Sequence, residues 1–173
     1  VVAFIVPGLA LAADQVAMEK ERAEHRKQVA EALSTMGRLM TAFDYITFNL
    51  SGPVVVLQGF TTKPVIKEDA AKSVQKIDWV VHVVNQIEEL PIEPAINDLR
   101  GEVLSMVKKA SPQSFPQDRA YIRVKIDGGM NVVLVGWADP MDKKRLEVAT
   151  TNINNLPLVK SVKNEIVFQK LGD

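Results

Sequence analysis

The chain has 173 residues, 47% hydrophobic and 24% charged, a composition that suits one ordinary globular domain or two small ones and excludes a disordered chain. Lys+Arg and Asp+Glu number 21 each and aromatics make up 6%, which excludes the basic field and the stacking platforms of a dedicated nucleic-acid binder. Cysteine is absent, which removes disulfides, thiolate zinc ligands, thiol catalysis and a lipid-bearing cysteine together.

Val1–Ala13 reads VVAFIVPGLALAA, carries no charge and ends in Ala10-Leu11-Ala12 ahead of Asp14. An apolar segment, a Pro-Gly break and an A-x-A site predict the tail of a secretory signal, in a stretch too short to span a bilayer. No later run is long and apolar enough to span, so an exported chain without a transmembrane span is expected. After Asp14 the pattern turns helical. Val29, Leu33, Met36, Met40 and Phe43 recur at three- and four-residue intervals and predict one helix face. Upstream, Glu19–Lys27 (EKERAEHRK) predicts a solvated extension of that helix.

Tyr45–Leu50 alternates, with Ile46, Phe48 and Leu50 on one side and Thr47 and Asn49 on the other, the pattern of a half-buried strand. Ser51-Gly52-Pro53 turns the chain into the β-branched run Val54–Phe60, which predicts an antiparallel hairpin. Pro64 suits the first turn of a helix striped by Ile66, Ala70, Val74 and Ile77. Trp79–Ile87 predicts a third strand. Glu88–Pro94 (EELPIEP), acidic and twice interrupted by proline, reads as a linker.

The second half repeats the first. Ala95–Lys109 predicts a helix with Ile96, Leu99, Val103 and Met106 at helical spacing. Tyr121–Ile126 (YIRVKI) alternates Ile122, Val124 and Ile126 inward with Arg123 and Lys125 outward. Asp127-Gly128-Gly129 turns into Val132–Trp137, Pro140 restarts a helix bearing Leu146, Ala149, Ile153 and Leu156, and Val159–Phe168 closes the unit. Gly59 and Gly136 stand 77 positions apart in matching strands, and Asn85 and Asn164 stand 79 apart. The expected fold class is α+β: two tandem αββαβ units, each a three-stranded sheet with two helices on one face and the other face, with Thr47, Asn49, Arg123 and Lys125, in solvent. The expected boundaries are a signal remnant at 1–13, a first unit with an extended N-terminal helix at 14–90, a linker at 91–94 and a second unit at 95–170.

This order, with Gly52, Val54–Leu57 and Gly59 at the first hairpin and Val80, Val83 and Asn85 at the third strand, resembles the BON domain (bacterial OsmY and nodulation) family. The second unit supplies Gly128, Val132–Leu134 and Gly136, then Val159, Val162 and Asn164. Trp79 and Leu158 depart from the family, which has Gly there. The resemblance implies a periplasmic, non-enzymatic protein of the cell envelope, linked to osmotic stress and to phospholipid membranes.

Glycine inside a strand, as at Gly59 and Gly136, marks a bulge or a close backbone approach. Asn164 shares its strand face with Val162 and Ile166, so it and Asn85 are expected to point at the apolar layer and to bond loop or helix-end backbone. Trp79 and Trp137 are expected to pack on helices rather than to anchor at a membrane interface. His25 and His82 lie on different elements and lack the spacing of a metal site, His25 being expected in solvent and His82 along the apolar side of its strand. No G-x-S-x-G elbow or phosphate loop is present. No catalytic residue, metal or cofactor is therefore expected.

The neutral total hides a split. Val1–Pro94 has 9 basic and 12 acidic residues, a net −3, whereas Ala95–Asp173 has 12 and 9, a net +3. The second unit is thus the candidate for an anionic phospholipid surface, through Arg100, Lys108 and Lys109 on its first helix, Phe115 in the following loop, and Lys143, Lys144 and Arg145 on its second. Cations at the end of the first helix also suit its dipole, whereas those at the start of the second do not. The alternative is an adaptor for an envelope protein, using the acidic first unit or the Asp14–Arg26 helix.

Overall fold

The computed structural model describes residues 7–117 and 119–170, with side chains from Asp14 onward. Residues 1–6 of the expected signal remnant lie outside the described residues, and residues 7–13 continue into α1, so the first helix begins ahead of the expected boundary at Asp14. The elements are α1 (Pro7–Ser34), β1 (Tyr45–Ser51), β2 (Val54–Thr61), α2 (Pro64–Gln75), β3 (His82–Glu89), α3 (Pro94–Ala110), β4 (Ile122–Ile126), β5 (Asn131–Ala138), α4 (Lys143–Asn154) and β6 (Ser161–Phe168). Two sheets result, ordered β1-β2-β3 and β4-β5-β6. In each, the hairpin is antiparallel and the third strand returns parallel to the central one after a crossover helix. The mixed α+β architecture with two αββαβ units is therefore the fold.

Each unit buries its own layer. Val29 of α1 and Ala70 and Val74 of α2 pack on Val55, Leu57 and Ile87 of the first sheet. Leu99, Val103 and Val107 of α3 and Leu146 and Ile153 of α4 pack on Ile122, Val124, Val132, Leu134 and Ile166 of the second. Each fully buried aliphatic side chain contributes about 1.5–3 kcal/mol.

Five local expectations are corrected. The helix face read through Phe43 ends at Ser34, and Met36, Met40 and Phe43 lie in the turns that follow. Ser34 and Thr35 return their hydroxyls to the carbonyls of Glu31 and Ala32, and Gly37 follows, so the last turn is unwound by local competition. Trp79 sits in the turn before β3 rather than in the strand, which instead runs on through Glu88 and Glu89. His25 is not solvated: its ring stacks on Trp79 at 4.0 Å, and Trp79 Nε1 donates to Gln28 Oε1 at 2.7 Å, clamping α1 to the start of β3. His82, in contrast, is exposed.

The fifth correction fixes how the units meet. Arg123 and Lys125 do not face open solvent. Lys125 Nζ pairs with Glu88 of the first unit, and Arg123 Nε donates to the Asp44 carbonyl at 2.9 Å. Between them the Val124 N–H donates to the Ala42 carbonyl at 2.8 Å, so residues 42–44 run along the free edge of β4. Phe43 packs on the core of the second unit, not the first. A strand edge that would otherwise expose unpaired N–H groups is closed by its neighbour in the same chain.

Candidate functional site

The basic residues of the second unit are positioned by a buried carboxylate. Asp142, fully buried, ends the short 3-10 turn Pro140–Asp142 just before α4. Its Oδ2 accepts from Ser111 Oγ at 2.5 Å and from Gln113 Nε2 at 3.0 Å, and its Oδ1 pairs with Arg145. Ser111 also shares a hydrogen bond of 2.7 Å with Ser114, both being buried. The turn after α3 is thereby stapled to the start of α4. Burial alone would raise the Asp142 carboxyl, but Ser111, Arg145 and Gln113 outweigh it and hold it below the usual carboxylate value.

This staple brings Lys109, at the end of α3, beside Lys144 and Arg145, at the start of α4. The three rim a shallow groove whose floor includes Met106, Val148 and Ala149. Val148 is 60% exposed, and Met141, just before α4, is 85% exposed. These cations and exposed Val148 form one surface between α3 and α4. Val148 was missed in the sequence, although an apolar residue one helical turn beyond Lys144 and Arg145 is a visible signal.

The other candidates go elsewhere. Arg100 is corrected outright: it is 2% exposed, donating to Asn97 Oδ1 at 2.7 Å and to the Ile126 carbonyl at 3.1 Å, so it braces α3 against β4 and cannot touch a surface. Lys143 lies over the Phe168 ring at 5.9 Å. Lys108 lies over the Phe115 ring at 5.6 Å, and both line a separate concavity of about 980 Å3 between the units, with Arg38, Phe43 and Arg119. Among the described residues its lining holds cations and apolar groups but no carboxylate or imidazole, so it offers no acid–base pair. No group of three His, Cys, Asp or Glu suited to a metal occurs among the described residues. No described helix is long and apolar enough to cross a membrane.

The repeated residues sit in matching places. Gly59 and Gly136 have φ of 123° and 116°, and a Cβ on either would lie 1.9 Å from the carbonyl oxygen of Tyr45 or Tyr121. Asn85 Nδ2 donates to the Lys67 carbonyl in the first turn of α2 at 2.8 Å, and its Oδ1 accepts from the Ile87 N–H. Asn164 keeps the second bond, to the Ile166 N–H, but it is exposed and reaches the Thr150 hydroxyl at 3.1 Å in the middle of α4. It is therefore not the buried amide expected, because the final strand presents Lys163, Asn164 and Glu165 all to solvent. Trp137 is likewise exposed on the open sheet face and packs on no helix of the core.

The second unit is similar to a known family. Residues 97–170 match the BON domain. The match runs from α3 to β6 and does not extend over the first unit. Two solved structures of CdsD, a structural protein of the type III secretion system of Chlamydia trachomatis, are also similar. The first is 12% identical over 84% of this chain and 92% of its own, and the other, a C-terminal domain, is 13% identical over 83% and 96%. Both give a TM-score of 0.30, a likeness that establishes neither fold nor function. No curated protein matches this chain.

Proposed function

We propose that this chain is a non-enzymatic, exported envelope protein whose BON domain attaches peripherally to anionic phospholipid surfaces, in the maintenance of the envelope under osmotic stress. One observation carries the reading: Lys109, Lys144 and Arg145 line one groove together with exposed Val148. Basic side chains held within a Debye length of an anionic leaflet contribute roughly 1 kcal/mol each, and apolar neighbours gain by entering the headgroup layer. The net +3 of the second half supports the same face.

Co-sedimentation with phosphatidylglycerol vesicles tests this. Binding is expected at low salt and should weaken as salt rises. Lys109→Glu with Lys144→Glu should reduce vesicle affinity at least tenfold, whereas Lys108→Glu, over Phe115, should do less. Absence of binding at low salt, or indifference to the paired reversal, overturns the proposal. The adaptor reading would then take its place, favoured by the unbroken exposure of Asp14–Glu24 on α1, which leaves that segment without a partner element.

A further inference from the structure

The two units present the same row of residues across the end of their sheets, and only one row is covered. In the first sheet, Tyr45, Phe60 and Glu88 are register neighbours on β1, β2 and β3. In the second, Trp137 and Val167 are register neighbours on β5 and β6, and the Trp137 N–H donates to the Tyr121 carbonyl at 3.0 Å. Tyr121, Trp137 and Val167 are thus the counterparts of Tyr45, Phe60 and Glu88.

Their surroundings differ. The first row lies where the second unit docks: Lys125 pairs with Glu88, Arg123 reaches the Asp44 carbonyl beside Tyr45, and Phe60 is 4% exposed. The second row has no such cover. Trp137 is 41% exposed and Val167 is 54% exposed, on a sheet face with half-buried Val133 and Val135 beside them. An uncovered Trp–Val pair on a fold whose other copy uses the same corner as a dock is an unfilled acceptor.

The structure also contains the matching donor. Phe48 faces Leu57 in the first hairpin as Val124 faces Leu134 in the second, so Thr47 and Asn49 of β1 are the counterparts of Arg123 and Lys125 of β4. Strand β1 pairs with β2 alone, and its other edge carries no strand among the described residues. The charges change together. Where Lys125 meets Glu88, the corresponding pair is Asn49 and Val167, so the cation and its carboxylate are both replaced by uncharged groups. We propose that the Trp137–Val167 corner docks the β1 edge of a second copy of this chain, repeating between molecules the junction that joins the two units within one. Donor and acceptor lie on different units, so the contact is head-to-tail and continues beyond a dimer. The membrane-facing groove, on the opposite side of the second sheet, remains open.

Sedimentation velocity across a wide concentration range, with Trp137 emission followed in a Trp79→Phe background, tests the proposal. Species larger than a dimer should appear with rising concentration, and the Trp137 emission should shift to the blue as they form. Val167→Glu should weaken association at least tenfold, and adding Asn49→Lys to the same chain should restore it by recreating the Lys125–Glu88 pair. Both positions are surface-exposed or at a strand edge, and unchanged thermal midpoints would verify that the variants fold. A chain that stays monomeric throughout, or whose association ignores Val167→Glu, overturns the proposal. So does a monomer in which Trp137 is shielded only by vesicles, whereas loss of vesicle binding alone leaves self-association standing.

Discussion

Asp44 ties the first unit's loop to the end of β2 much as Asp142 ties the turns of the second. Fully buried, it accepts from the Thr41 N–H and hydroxyl at 2.7 and 2.8 Å, from the Thr61 hydroxyl at 2.7 Å and from the Thr62 N–H at 3.0 Å. Burial pushes its carboxyl up, but Thr61, Thr41 and Thr62 together bring it below the usual value. The unfolded chain therefore takes up the proton first. The stabilisation is complete above about pH 5 and is lost as pH falls below about 4, through the folded-state value. Asp44→Asn keeps the shape but replaces an acceptor-only group with one that places an N–H against donors. It should cost about 2 kcal/mol at pH 7, with a shallower acid limb, by urea unfolding at a series of pH values. Nothing in the sequence marked Asp44, because its partners are short polar residues of the kind that fill any loop, one of them 3 and the others 17 and 18 positions away.

At the scale of elements, periodicity located all the helices and strands of both units, and lost their ends where side chains compete with backbone. The pattern of Met36, Met40 and Phe43 continues the first helix, but Ser34, Thr35 and Gly37 stop it. Trp79 looks like a strand residue by type, and its indole is committed to Gln28 and His25 before the strand begins. The glycines of the hairpins were legible as close approaches, since a residue without Cβ in a β-branched run has few other uses. Their positive φ and the carbonyl 1.9 Å from the missing Cβ make the requirement steric. Gly136→Ala should therefore destabilise the second unit by about 2–4 kcal/mol, read as a drop in its denaturation midpoint. The basic candidates were read from charge alone. Charge could not show that Arg100 lies inside, because an arginine on the inner face of a helix that bonds a strand carbonyl has the same letter as one in water.

For the whole molecule, the junction matters more than either unit's surface. Phe43 belongs in sequence to the first unit and in space to the core of the second, and that crossing is invisible to any pattern confined to one repeat. Phe43→Ala should lower the stability of the second unit and uncouple the two, so that a single unfolding transition splits into two in calorimetry. The polar face assigned to solvent in both sheets was half right for the same reason. In the first sheet Asn49, Gln58 and Gln86 form an exposed chain of amide hydrogen bonds, whereas in the second Arg123 and Lys125 are taken up by the partner unit. The seal that residues 42–44 place on β4 has a consequence in time. A ribosome or an export channel delivers a chain N-terminus first, so the segment that blocks the sticky border of the second sheet is already present when that border forms. The second unit made alone is born without its guard, and should aggregate where the two-unit chain stays dispersed.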